Sequence, residues 1–290
     1  MTASPQDKIS ELLIFLKAWW GRSGIFFGEG VNEKMKLQRL CYIHIPKTAG
    51  TAVTDVLQNI YPADKIFNAT FMHEYTSVDP SVFHYYLLYK GHIHYSFAIE
   101  TLPKDTQYIT VLRDPVERVI SLYFFIRNLP DDVLLDENLL EQQKAGIRLA
   151  KEKGIIEYLQ ASSLPGVMAS TRNHQLKVLV DKKSFSQIRR NPEYVVDVAW
   201  SNIKNYFCYG IQEFLPFFID ELSTKLGSSK VTLRKVNQNT EKEQQIKLLQ
   251  DSDLQHVKEV IEEYNQAEIM FYNRVKEEIV SRMQETEQIS

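Results

Sequence analysis

The chain has 290 residues, 44% hydrophobic and 24% charged, which is typical of a globular protein with a full core and excludes a disordered chain. Its formal net charge of −3 argues against a general polyanion binder, so no nucleic-acid partner is expected, although a local basic pocket would not show in the total. The two cysteines, Cys41 and Cys208, lie in apolar runs without metal-ligand spacing. They are predicted to be buried and reduced.

Residues 1–35 are predicted to form an N-terminal helical extension, ahead of one main domain over 36–285. Within the extension, residues 5–20 have the spacing of an amphipathic helix, but their longest apolar run is much shorter than the roughly 20 residues that a membrane span requires. No transmembrane segment is therefore expected. Packing on the domain or on a partner is favoured, and the alternative is peripheral membrane contact through Phe15, Trp19 and Trp20.

In chain order, short apolar runs rich in strand formers predict a strand at 39–45, a strand with its turn within 85–95, a strand at 106–115, and a further strand after a helix within 195–211. Helical spacing predicts helices over 51–61, 115–128 and 214–227, and one long helix over 251–282. Strands that alternate with helices indicate an α/β fold, with a central parallel sheet flanked by helices and the extra N-terminal helix. Such sheets bind ligands at the carboxyl ends of their strands.

A candidate anion site follows the first predicted strand, in the sequence IPKTAGT. A strand-to-helix loop gathers backbone N–H groups, and the helix start adds free donors and a partial positive charge. Gly50 would allow close backbone approach, Lys47 adds a full charge, and Thr48 and Thr51 add hydroxyls. This pattern predicts a P-loop-like phosphate cradle, but an ordinary turn with a solvated lysine would have the same composition. The order also differs from GxxxxGK[ST], in which the lysine follows the glycines.

A second candidate site lies in LRDPVERVIS, where a predicted strand ends and a helix begins. Arg113 ends the strand, and Ser121 lies two turns into the helix. An arginine fork and a serine hydroxyl can close on one phosphate group. The alternative is that the charged residues of this segment pair among themselves at the helix start.

Taken together, IPKTAGT after one strand and LRDPxERxxS at a later one resemble the sulfotransferases that use 3′-phosphoadenosine 5′-phosphosulfate (PAPS). The resemblance is to the carbohydrate branch, which includes the heparan sulfate uronosyl 2-O-sulfotransferases. It runs over roughly 39–275 and is strongest in the two motifs. It implies that Arg113 and Ser121 hold the 3′-phosphate, a group that ATP lacks. It further implies a 5′-phosphosulfate site formed by Lys47, Thr48, Ala49, Gly50, Thr51 and Ala52.

The same resemblance places a catalytic histidine in a GHxxY stretch, which here makes His92 the base that takes the acceptor's proton, while Lys47 neutralises the leaving phosphate. His94 is the rival base. The spacing of the two histidines can also suggest a metal pair, but no third ligand is evident and no metal is expected. Relatives carry a further histidine two positions before the base. This chain has Lys90 there, a departure that bears on the identity of the acceptor.

Two further groups are weaker candidates. Asn173 and Gln175 lie in a segment that resembles one near the family's acceptor cleft, and they are predicted either to contact substrate or to order the site; a plain helix start would also explain them. The segment RKVNQNTEK (234–242) is predicted either to fold over the cofactor, with Arg234, Lys235 or Lys242 near phosphate, or to be simply solvated.

The expected function is transfer of a sulfuryl group from PAPS to a hydroxyl of a carbohydrate or carbohydrate-like acceptor, with release of adenosine 3′,5′-bisphosphate. Eukaryotic carbohydrate members of the family carry a membrane anchor and often disulfides, and neither is evident in this sequence. The expected setting is therefore the cytoplasm of a bacterium, and the alternative is a chain that lacks its anchor. Two alternatives stay open. One is a P-loop kinase or other nucleotide phosphotransferase that needs ATP and magnesium. The other is a catalytically inactive scaffold with the same fold.

Overall fold

The computed structural model describes residues 37–136, 139–161, 163–228 and 251–289. Its sheet contains five strands: β1 Leu40–Ile43, β2 Ile66–Asn68, β3 Leu88–Gly91, β4 Gln107–Leu112 and β5 Cys208–Ile211. Their order across the sheet is β2-β3-β1-β4-β5, and each neighbouring pair is parallel. The prediction of an α/β fold with a parallel sheet flanked by helices is confirmed.

The first seven helices in chain order are α1 Gly50–Ile60, α2 Met72–Thr76, α3 Tyr95–Thr101, α4 Pro115–Arg127, α5 Glu141–Glu152, α6 Ile155–Leu159 and α7 Pro165–Thr171. The later helices are α8 His174–Leu179, α9 Lys182–Phe185, α10 Pro192–Lys204, α11 Leu215–Lys225, α12 Asp251–Tyr264 and α13 Gln266–Ile289. Short 3₁₀ turns lie at Ala63–Lys65, Pro80–Tyr85, Asp131–Leu135 and Gln212–Phe214.

The sheet is covered on both faces, which explains why β1 is apolar along its whole length. Leu40 and Tyr42 pack into a cluster with residues of α1 and α11 on one face. Cys41 and Ile43, which alternate with them, pack on the other face against α8, α10 and α13. Both cysteines are buried and free, as predicted.

The strand predicted with its turn within 85–95 is present as β3, which begins at Leu88 after a 3₁₀ turn that ends at Tyr85, and its pairing stops at Gly91. Gly91 has φ of +148°, and a Cβ there would lie 2.9 Å from the carbonyl oxygen of Ala69, so this position requires glycine where the segment after β2 approaches the end of β3. Strand β2 was not predicted, because its three residues are too few to show an alternating pattern.

The prediction of one long helix over 251–282 is wrong, because the helix breaks at Asn265 and continues as a second helix to residue 289. The Asn265 side chain is fully buried and donates to the carbonyl oxygens of Thr171 and Ile261 at 3.0 and 2.8 Å. It also accepts the N–H of Asn173 at 2.7 Å. A side chain that makes several hydrogen bonds to backbone groups competes with the bonds of the helix itself, so such a residue is favoured at a helix end rather than in its interior.

Some predictions fall outside the described residues. These are the 1–35 extension with its helix and aromatic side chains, and the three cations Arg234, Lys235 and Lys242. The division of the chain into an extension and a main domain therefore stays a prediction. Among the residues that the structure does describe, none of the helices has the length and apolarity to cross a bilayer.

Candidate functional site

The candidate site lies at the carboxyl ends of β3, β1 and β4, which are three neighbouring strands of the sheet. Gly91 at the end of β3 pairs with Ile43 at the end of β1, and the His44 N–H donates to the Gly91 carbonyl oxygen at 3.0 Å. Because all three strands run in the same direction, the loops that follow them meet at one edge. Lys47, His92 and Arg113 lie one in each of these loops.

The first loop has an unusual backbone that leads directly into α1. Lys47 and Ala49 both have left-handed φ angles, of 73° and 67°. Thr48 between them is fully buried, and its hydroxyl donates to the Ile45 carbonyl oxygen at 2.8 Å. No side chain of the described residues caps the start of α1 at Ala49, and its first turn has no acidic residue. The helix start and Lys47 together therefore offer N–H donors and positive charge to an anion.

His44 is a residue of the site that sequence reasoning missed. A Cβ on Gly50 would lie 1.8 Å from His44 Nε2, so the imidazole packs directly against the start of α1. The same ring stacks on Tyr42 and has its centroid 4.9 Å from that of His92. Burial, assisted by the positive charges of nearby side chains, holds the pKa of His44 well below its ordinary value. The available signal was its position three residues before Lys47, directly after a buried run.

The second motif and the rest of α4 contact the first loop at two points. Arg113 donates to the Lys47 carbonyl oxygen at 3.2 Å and forms an ion pair with Glu117 at 3.5 Å. The Lys47 ammonium lies 4.2 Å from the ring centroid of Phe125. Ser121 is buried and lies four residues from both Glu117 and Phe125 in α4, so all three share one helix face. Glu117 pairs with Arg113 at one end of that face and Phe125 contacts Lys47 at the other. The structure therefore brings Arg113 to Lys47 and places Ser121 on α4 between these two contacts.

His92 lies on the other side of β1, directly after β3. Its N–H donates to the Thr70 carbonyl oxygen at 2.8 Å, and its ring meets the ring of Phe71 edge-on at 5.7 Å. The segment before α2 is fixed by Glu74, whose carboxylate accepts the N–H groups of Thr70 and Phe71 at 2.7 and 2.8 Å. Burial lowers the pKa of His92 to about 4. The imidazole is consequently neutral at pH 7, the form that can accept a proton.

His94, the rival base, occupies a different position. It lies beyond the strand at the residue that precedes α3. Burial, and secondly the charge of Lys177, lowers the pKa of His94 below its ordinary value. The ring contacts of His92 are with His44 and Phe71, so His44 rather than His94 is its histidine neighbour in the structure.

Gln175 and Asn173 make their contacts inside the protein. Gln175 is buried, donates to the Arg113 carbonyl oxygen at 2.9 Å and accepts the Arg113 N–H at 3.1 Å. Asn173 has a left-handed φ of 46° and donates through its amide to the Tyr264 carbonyl oxygen at 3.0 Å. Of the two roles left open by the sequence, these contacts favour ordering of the site over contact with a substrate.

Comparisons with known proteins show a distant relationship. No family model matches the chain. Heparan sulfate 2-O-sulfotransferase 1 of Homo sapiens is 30% identical over 109 residues, which cover 30% of this chain and 29% of that protein, and the Pongo abelii protein gives the same values. The Mus musculus protein is 26% identical over 204 residues, which cover 64% of this chain and 54% of that protein. The chain thus spans about half or less of these relatives, and the similarity is sulfotransferase-like at low identity.

Proposed function

We propose that the protein is a sulfotransferase that moves a sulfuryl group from PAPS to an acceptor hydroxyl. One observation carries the proposal. A lysine at a helix start, an arginine and a neutral imidazole follow three adjacent parallel strands, and the arginine bonds directly to the lysine loop at 3.2 Å. The distant similarity to heparan sulfate 2-O-sulfotransferase 1 supports the same assignment.

The residues present fit a donor with two separate phosphate groups. The left-handed turns at Lys47 and Ala49 lead to the uncapped start of α1, which is suited to the 5′-phosphosulfate. In this proposal Lys47, Thr48, Ala49, Gly50, Thr51 and Ala52 surround that group. Arg113 and Ser121 hold the 3′-phosphate, to which the arginine presents a planar fork. ATP lacks a 3′-phosphate and would leave this second site unused.

The proposed transfer needs one cation and one base. The acceptor oxygen forms a bond to sulfur as the bond from sulfur to the 5′-phosphate oxygen breaks, in line. His92 takes the proton of the acceptor hydroxyl, since its imidazole is neutral at pH 7. Lys47 stabilises the negative charge that develops on the departing bisphosphate. In this assignment the protein itself supplies both the proton acceptor and the charge compensation.

The proposed acceptor is a carbohydrate or a carbohydrate-like metabolite. In this proposal Phe71, which is 40% exposed and meets the His92 ring edge-on, adds an apolar contact for the acceptor beside the base. Lys90, at the end of β3, adds a positive charge to the same region. A cytoplasmic, bacterial setting is part of the proposal.

Incubation of the full chain with PAPS and a panel of mono- and oligosaccharides tests the proposal, with products identified by mass spectrometry. We expect a sulfate ester on at least one acceptor and an equal amount of adenosine 3′,5′-bisphosphate. Parallel reactions with ATP and magnesium test for a phosphotransferase. Phosphorylated products there, with no sulfated product from PAPS, would overturn the proposal.

A further inference from the structure

The backbone of Arg113 is held at both of its polar atoms by a single side chain, that of Gln175. The carboxamide accepts the Arg113 N–H at 3.1 Å and donates to the Arg113 carbonyl oxygen at 2.9 Å. Arg113 lies at the turn between β4 and α4, where neither regular element supplies these bonds. Its guanidinium reaches the Lys47 loop, so the backbone position of Arg113 also sets how the two motifs meet.

The orientation of the Gln175 carboxamide is in turn set by Glu268 from α13. Gln175 Nε2 donates to Glu268 Oε1 at 2.9 Å, and the Gln175 N–H donates to Glu268 Oε2 at 2.8 Å. A carboxylate has acceptors only, so the amide nitrogen of Gln175 must face it. The amide oxygen is then left to accept from Arg113. Reversal of the carboxamide would bring oxygen against oxygen at Glu268.

Glu268 is itself fully buried and compensated in charge. Arg118 of α4, also fully buried, lies 3.6 Å from it and donates through both terminal nitrogens to the Ser170 carbonyl oxygen at 3.1 Å. A buried ion pair of this kind seldom adds net stability, because desolvation opposes the attraction. Its value here lies in orientation, since it fixes a carboxylate from the C-terminal helix behind the second motif.

We propose that Glu268 is a positioning residue for the donor site, acting through Gln175 to hold Arg113 in the conformation that binds the 3′-phosphate. The inference rests on the proposed function for the role of Arg113. The contact chain from Glu268 through Gln175 to the Arg113 backbone does not depend on it. The C-terminal helix thereby contributes to donor selection without touching the donor.

The test compares Glu268→Gln with Gln175→Met by calorimetric titration. Two ligands are used, adenosine 3′,5′-bisphosphate and adenosine 5′-phosphate, which lacks the 3′ group. Both variants are expected to weaken binding of the bisphosphate by about tenfold and to leave the monophosphate within about twofold. Equal loss for the two ligands would mean a merely structural role and would overturn the proposal, as would unchanged affinity for both.

Glu221→Gln is the matched control, because the Glu221 carboxylate accepts from an α13 arginine, Arg282, at 2.9 Å but has no described bond to Arg113 or Gln175. It should change neither affinity. If Glu268→Gln does not fold because Arg118 is left as an unpaired buried charge, the double variant Arg118→Met/Glu268→Gln is titrated in its place, since it removes both buried charges together.

Failure of the proposed function is recognised separately, since the wild-type chain would then not prefer the bisphosphate. In that case amide hydrogen exchange at Arg113 decides the positioning role. Faster exchange in Glu268→Gln than in Glu221→Gln would support it, and equal rates would overturn it.

Discussion

In the proposed assignment, a 3′-phosphate replaces Glu117 as the partner of the Arg113 guanidinium. The Arg113 side chain is 14% exposed, whereas Glu117 is 47% exposed, and pairs with one exposed partner contribute little. A phosphate with two charges would compete well for the same guanidinium. Glu117 therefore acts as a weak competitor at the proposed 3′-phosphate site.

Arg113→Ala is predicted to weaken binding of adenosine 3′,5′-bisphosphate by about 1.5–3 kcal/mol, the value of a hydrogen bond to a charged group. Glu117→Gln is predicted to leave the affinity unchanged or slightly higher, because the competing carboxylate is removed. Isothermal calorimetry measures both. Unchanged binding in Arg113→Ala would remove this residue from the site.

His92→Ala is predicted to lower the turnover of sulfuryl transfer by about 10²–10⁴ while donor binding persists, because only the proton acceptor is lost. His94→Ala is the matched control and is predicted to retain most of the activity, since its side chain lies next to α8 rather than against His44. Steady-state rates with a common acceptor compare the two. The reverse ranking would assign the base to His94.

The start of α1 depends on the absence of a side chain at Gly50. A methyl group there would overlap the His44 ring, so Gly50→Ala is predicted to destabilise the fold by about 1–3 kcal/mol. Gly166→Ala serves as the control, because a Cβ there has no neighbour within 4 Å. Urea unfolding measures both variants. In the double variant Gly50→Ala/His44→Ala, the loss in the free energy of unfolding should be smaller than the sum of the losses in the two single variants. A loss equal to that sum would contradict the predicted overlap.

Elements with strong local patterns were predicted well from the sequence. Strands β1 and β4 lie within the apolar runs that predicted them. Helix α4 begins at Pro115 as predicted, because proline lacks an N–H that the first helical position does not need. Gly227 ends the α11 region with a left-handed φ of 65°. Elements set by tertiary contacts were missed. Strand β2 exists through its pairing with β3, and the break at Asn265 exists through bonds to a segment about 90 residues earlier.

The same division holds for the candidate site. Lys47, Arg113 and His92 each lie at or just after the end of a predicted strand, so the parallel sheet alone was enough to expect them near one another. His44 shares the position directly after an apolar run, but nothing local shows that its ring packs on Gly50, and Glu268 has no local signal at all. Their roles depend on the ring that lies over Gly50 and on the carboxylate that faces Gln175, and both contacts arise only after helices pack on the sheet.

Across the whole molecule, buried neutral histidines link stability to pH. Burial holds the pKa values of His44, His92 and His174 below the ordinary 6.5. Below about pH 6.5 the unfolded chain therefore binds protons that the folded chain does not. The free energy of unfolding is predicted to fall as the pH decreases from about 6.5 to 5, by up to about 1.4 kcal/mol per pH unit for each histidine.

Urea unfolding at several pH values across this window measures the slope. His174→Gln is predicted to reduce it, whereas His256→Gln should not, because the His256 side chain is 61% exposed. A flat profile in the wild-type chain would mean that these histidines are protonated in the folded protein. That result would also weaken the case for His92 as a base.

The measurement that tests the central claim most directly is calorimetric titration of the wild-type chain with adenosine 3′,5′-bisphosphate, beside ADP and ATP with magnesium. The proposed donor site predicts tight binding of the bisphosphate without metal and little binding of ATP. Preference for ATP with magnesium would contradict the sulfotransferase assignment and indicate a phosphotransferase. Binding of none of these ligands would contradict it as well and favour a protein that keeps the fold without the catalytic activity.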